Sequence, residues 1–245
     1  MKITFLGSSH GYAEKNRFTS ATLVETNEFS YLLDAGGPVE WLMVNNDKPF
    51  ERIRGIFITH MHNDHVGSLS CVIEPMLRFR YNDNATCFFP CEKGRDGFID
   101  WLEIMNVSGD KAKETVKFEI TKEGKIFSNG DICVTAKSTR HLGENNFAFS
   151  YTFERNGKKV LFTGDMGQGF LEYPDLVYGE HYDMVVCEMA HAAFEDVADM
   201  LRKTDTDRMI ITHYYEPNLK GFDDISLADF PFPVTLSSDG MEIQL

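Results

Sequence analysis

The run His60-Met61-His62-Asn63-Asp64-His65 places three imidazoles and a carboxylate within six residues. Imidazole and carboxylate are ligands for divalent cations, and neither core packing nor helix capping explains so many polar side chains in one short segment. Three further apolar runs also end in a ligand type: residues 132–136 lead to His141, 160–163 to Asp165 and 209–212 to His213. If those runs are neighbouring strands of one sense, their tips bring five imidazoles and two carboxylates to one sheet edge, where ligands collect in open α/β folds.

Such a set divides into His60, His62 and His141 for one ion and Asp64, His65 and His213 for another, with Asp165 bridging. Three protein ligands per ion leave coordination open, which marks a catalytic rather than a structural site. Two ions about 3.5–4 Å apart lower the pKa of a shared bridging water and stabilise developing negative charge, so hydrolysis by a bridging hydroxide is the expected chemistry. The expected cofactor is two divalent ions, zinc first, with manganese or iron as alternatives.

Other residues are candidates for supporting roles. Asp34 ends an apolar run and is equally suited to fix the tautomer of a ligand histidine or to form the turn before Ala35-Gly36-Gly37. His191 lies between a strand and a helix, where it could protonate a leaving alkoxide, with helix capping as the plainer role. Glu188 could orient it, Asp64 could itself move protons, and His10 is a candidate for lining the site. Glycines 164, 167 and 169 lack the lysine-serine pair of a phosphate-binding loop and serve tight turning at Asp165.

The elements that must position these groups follow from apolar periodicity. Residues 55–59 read as a buried strand feeding the histidine loop, and offsets of two within that loop argue against a single helix. Strands are also expected at 2–6, 21–26, 29–33, 86–89, 116–120, 130–137, 146–154, 158–163, 183–187, 208–212, 233–236 and 241–244. Helices are expected at 38–46, 69–80, 92–105 and 192–203. Asn156-Gly157 is a tight-hairpin signal. Two strand-rich halves with interspersed helices suggest two mixed β-sheets face to face with helices outside, a four-layer αββα sandwich of the α/β (α+β) class.

Bulk properties bound the function. The 245 residues, 42% of them hydrophobic, suit one domain over 1–245. No apolar run reaches the roughly 20 residues that cross a bilayer, and residues 1–7 break too early at Gly7 for a signal sequence, so no membrane association and a cytoplasmic location are expected. Five scattered cysteines argue for reduced, buried thiols rather than a disulfide framework. A net charge of −14 opposes long nucleic acid as a partner, and the basic run Arg78-Phe79-Arg80-Tyr81 is too short to offset it. A small molecule or short nucleotide is the expected substrate, and a homodimer is compatible with this composition.

His60-x-His62-x-Asp64-His65 with His141, Thr163-Gly164-Asp165 and Thr212-His213 resembles the metallo-β-lactamase fold superfamily over essentially the whole chain. The resemblance implies the αββα sandwich and the dinuclear assignment. Phe5-Leu6-Gly7-Ser8-Ser9-His10-Gly11, Arg17, Thr19-Ser20 and Leu33-Asp34-Ala35-Gly36 look most like the ribonuclease Z and phosphodiesterase branch. That branch carries separate glutamate and histidine motifs, which Glu188-Met189-Ala190-His191 compresses here. Asn63 replaces a usual glycine, Ser68 follows Gly67, and nothing resembles the tRNA-gripping arm, so a smaller phosphodiester is expected. The alternatives are hydrolysis of a lactone, thioester or other carbonyl ester, and, from another class, an iron-dependent oxidoreductase of the same fold.

Overall fold

The computed structural model describes residues 1–79, 84–107, 114–143, 147–222 and 229–245. They form two seven-stranded mixed sheets, one in each of two compact units, residues 1–121 with 239–244 and residues 122–238 with 245.

In the first unit the sheet contains β1 (Lys2–Gly7), β2 (Ala21–Glu25), β3 (Ser30–Leu33), β4 (Ile53–Phe57), β5 (Ala85–Phe89), β6 (Val116–Ile120) and β14 (Glu242–Gln244), in the order β14-β1-β2-β3-β4-β5-β6. β3 to β6 are parallel, and β1 shares their sense because β2 is antiparallel to both neighbours. The carboxyl ends of β1, β3 and β4 therefore share one edge. β2, β3 and β5 are buried at every position, which is why they read as continuous apolar runs. Leu23, Leu32, Ile56 and Phe89 pack with Val39 and Met43 of α1 (Val39–Asn45), Val72 and Met76 of α3 (Leu69–Phe79), and Leu102 of α4 (Glu92–Ile104). Each such side chain contributes about 1.5–3 kcal/mol by leaving water.

In the second unit the sheet contains β7 (Gly124–Ser128), β8 (Cys133–Ser138), β9 (Phe149–Arg155), β10 (Lys158–Phe162), β11 (Met184–Met189), β12 (Met209–Tyr214) and β13 (Val234–Leu236), in the order β13-β12-β11-β10-β9-β8-β7. β10 to β13 are parallel, and β8 shares their sense across the antiparallel β9. The three apolar runs that lead to His141, Asp165 and His213 do end at one edge, with β8, β10, β11 and β12 all finishing there, whereas His60–His65 follows β4 of the other sheet. Asn156 and Gly157 adopt φ of +51° and +75°, the primed turn that their types predict. Val185, Cys187, Met209 and Ile211 pack with Phe194, Val197 and Leu201 of α6 (Phe194–Leu201) and Tyr173 of α5 (Tyr173–Val177).

Several expectations are corrected. The histidine run is not all loop, because Asn63–Val66 forms a helical turn, α2. The chain stays extended through His62 and turns only afterwards, with Val66 N donating to His62 O at 3.1 Å. β7 and α5 were not expected; β7 is an exposed edge strand whose GKIFS sequence has no apolar run. The strand expected from 130 begins at Cys133, because the Asn129 side chain accepts from Asp131 N and Ile132 N and holds a turn there. Cys87 and Cys187 are buried free thiols as expected, but Cys71 is exposed and Cys91 and Cys133 are half-buried. Arg80, Tyr81 and the expected start of β9 at 146 lie outside the described residues. Among the described residues no helix is long and apolar enough to cross a membrane.

Candidate metal centre

In the first unit the centre is built on Thr59 and Asp34. Asp34, just past β3 with φ +59°, accepts from Thr59 N (2.8 Å) and from Thr59 Oγ1 (2.9 Å), which ties the ends of β3 and β4 together. The same carboxylate accepts from His65 Nδ1 at 2.8 Å, so Nδ1 carries the proton and Nε2 is the basic nitrogen. His65 Nε2 lies 3.4 Å from Asp64 Oδ2. Thr59 Oγ1 is also 3.1 Å from His60 Nδ1, which turns the His60 ring in the same way. The His60 ring centroid is 4.1 Å from that of His65 and 4.5 Å from that of His62. Burial pushes the Asp34 carboxyl above its usual range, against the opposing pull of His65 and Thr59.

The α2 turn sits tightly on Gly36. A Cβ at that position would lie 1.6 Å from the carbonyl oxygen of Asp64, so only glycine lets the backbones meet. Ala35 N donates to His65 O at 2.7 Å across the same contact. His10 follows β1 at this edge, is buried, and faces Glu14 Oε1 at 3.2 Å.

In the second unit three imidazoles surround one carboxylate oxygen. Asp165 Oδ2, three residues past β10, lies 3.3 Å from His213 Nε2, 3.8 Å from His141 Nε2 and 3.9 Å from His191 Nδ1. Bonds of about 2.0–2.2 Å to a common tetrahedral ion put ligand atoms roughly 3.3 Å apart, so the His213 and His141 spacings suit coordination shared with Asp165, whereas His191 Nδ1 is engaged by Glu188. His213 is on β12 itself, at φ +45°, where the strand twists to aim the ring. His191 is held by Glu188: Nδ1 donates to Oε1 at 2.8 Å, and Ala190 N and His191 N donate to Oε2. Glu188 also accepts from Met166 N at 2.9 Å, so one buried carboxylate orders both the His191 turn and the residue after Asp165.

Three supporting residues escape sequence reasoning. Besides Thr59, Thr139 Oγ1 donates to Asp165 O at 2.7 Å, and the buried Glu172 accepts from Arg140 N and Gly167 N, both at 2.7 Å. Thr139 and Glu172 thereby fix the backbone on either side of the turns that carry His141 and Asp165. No spacing singles them out: Thr59 binds the side chains of Asp34 and His60, while Thr139 and Glu172 bind backbone groups.

Histidine and carboxylate donors without thiolate suit zinc, manganese or iron. The model of the Anti-Pycsar protein Apyc1 family matches residues 1–230. The chain belongs to that family. This Apyc1-family chain is 26% identical over 213 residues to a ribonuclease Z of Bacillus mycoides, covering 86% of this chain and 67% of that protein. A human short-form tRNase Z structure matches with a TM-score of 0.75 at 18% identity, over 100% of this chain and 99% of that one. The metallo-β-lactamase fold protein YhfI of Bacillus subtilis matches with 0.73 at 16% identity, over 99% of both chains. The fold is thus the metallo-β-lactamase fold, with ribonuclease Z-like relatives. The chain spans between about half and two thirds of the length of the ribonuclease Z relatives that it matches.

Proposed function

We propose that the chain, as a single catalytic domain over 1–245, is a dinuclear metal-dependent hydrolase of small phosphodiesters, short nucleotides foremost. The observation that supports this is the placement of His213 Nε2 and His141 Nε2 at 3.3 and 3.8 Å from Asp165 Oδ2. His60, His62 and His141 would hold one ion and Asp64, His65 and His213 the other, with Asp165 shared. When bound, such ions supply an activated water and neutralise charge on a phosphoryl oxygen.

The chain's own residues set up the rest. Asp34 fixes His65 with Nε2 basic, and Thr59 does the same for His60, so both rings are ready ligands. Glu188 holds the proton of His191 on Nδ1, which makes Nε2 the atom that takes up a proton and returns it to the departing alkoxide. The His191 side chain is 27% exposed, open enough to reach a substrate.

The ribonuclease Z relatives favour a phosphodiester, and the net charge of −14 favours a small one, because long polyanions are held by displaced counterions at basic surfaces. The test is a panel of a chromogenic phosphodiester, short nucleotides, a lactone and a thioester offered to metal-loaded protein. Turnover of the phosphodiesters is expected; cleavage of only the carbonyl esters would move the assignment to them.

A further inference from the structure

The stretch from 8 to 18 leaves the carboxyl end of β1 at the sheet edge that also carries Asp34 and His60, and it is held with unusual care. Asp239 accepts from Ser8 N (2.9 Å), Ser8 Oγ (2.7 Å) and Phe18 N (2.6 Å), so one carboxylate closes both ends of the loop. Ser9 N donates to Phe18 O at 2.8 Å, which pairs the two stems. Arg17 Nε donates to Glu14 Oε2 at 3.1 Å and Arg17 Nη1 to Ser8 O at 3.4 Å, while Glu14 Oε1 faces His10. The base of the loop rests on Gly37, where a Cβ would lie 3.0 Å from Phe18 Cβ, and the adjacent Gly36 rests on the Asp64 backbone.

This chain of polar contacts ends at Tyr12. Its ring meets His10 edge-on, with centroids 4.6 Å apart, yet Tyr12 is 62% exposed. An exposed tyrosine returns little burial energy, so stability alone does not account for a support running from Asp239 through Arg17 and Glu14 to His10. An exposed aromatic face on the loop that leaves the ligand-bearing sheet edge is suited to stacking on a planar ring, and stacking tolerates any base.

We propose that residues 8–18 form the substrate-recognition loop, with Tyr12 stacking on the base of a nucleotide and Asp239 as the positioning residue that fixes the loop. The identity of the ring as a nucleobase rests on the phosphodiester reading; the loop's role in binding does not require turnover.

The test uses Tyr12→Trp in the metal-loaded full chain, titrated with uridine 5′-monophosphate or with glycerol phosphate, which has no ring, and read by tryptophan fluorescence against the wild type. Quenching by the nucleotide and none by glycerol phosphate is expected. Adding Asp239→Asn should weaken that binding about tenfold at unchanged metal content, and Ser8→Ala, the milder change if Asp239→Asn fails to fold, should weaken it less. Tyr12→Ala should raise KM about tenfold with kcat held, whereas a loop serving only stability would lower the melting temperature and leave KM alone. Equal or no response to the two ligands, or unchanged affinity in both loop variants, overturns the proposal. Nucleotide quenching in a protein that hydrolyses no phosphodiester would leave the loop's role standing and remove the hydrolase reading instead.

Discussion

His65 Nδ1 donates to Asp34 Oδ2 at 2.8 Å, so the residue just past β3 sets the tautomer of a histidine 31 positions later. Asp34→Ala should therefore lower metal affinity 10–100-fold, measured by competition with a chromogenic chelator, while the fold persists. Affinity equal to wild type would reduce Asp34 to a turn former.

His191→Ala should leave metal content unchanged and lower kcat by about 10²–10⁴, the range for losing a general acid. Glu188→Gln should lower kcat less, because the amide oxygen still accepts a hydrogen bond. Metal analysis beside steady-state kinetics separates these from Asp165→Ala, which should release metal. Unchanged turnover in His191→Ala would remove His191 from the mechanism.

Gly36→Ala should destabilise the protein by about 1–3 kcal/mol or more, since the new methyl meets the Asp64 backbone rather than a movable side chain. The same shift displaces Asp64 and His65, so metal affinity should fall with the melting temperature. A variant with wild-type melting and metal binding would contradict the close approach.

Lys48 sits buried between Glu25, at 2.9 Å, and Glu242. Burial pushes the Glu25 carboxyl up, but Lys48 and Lys2 together hold it below its usual range; Lys48 likewise lowers Glu242. A carboxylate with a folded pKa below its unfolded value of about 4.3 binds fewer protons in the native state. Its stabilisation is complete above that value and is lost as pH falls through the folded one. Lys48→Met leaves Glu25 with Lys2, 3.2 Å away, and Thr4 as partners, and should cost about 1–3 kcal/mol near neutrality. Urea unfolding at pH 7 and near pH 3 should show a smaller acid loss in this variant than in wild type; parallel losses would contradict the pairing.

Much of this was legible in the sequence because metal ligation concentrates polar side chains where apolar runs stop. His60 to His65, His141 and Asp165 follow β4, β8 and β10, and His213 lies near the end of β12, so each is at the carboxyl end of its strand. Asp34 read equally well as a turn or a histidine partner, and it proves to be both: φ is +59° and His65 is bound. Thr139 and Glu172 stayed invisible because a threonine or glutamate bonding a backbone group has no period or spacing, and Thr59 because its carboxylate partner lies 25 residues away. The α2 turn was obscured by the neighbouring histidines, whose offsets of two belong to extended chain, while only Asp64 and His65 lie on the turn.

The central claim is a two-metal hydrolytic centre, and metal stoichiometry measured on the same sample as turnover tests it most directly. The account predicts close to two zinc or manganese ions per chain, with phosphodiester hydrolysis lost on chelation and restored by adding the ion back. One iron per chain with oxygen consumption, and no hydrolysis, would contradict it.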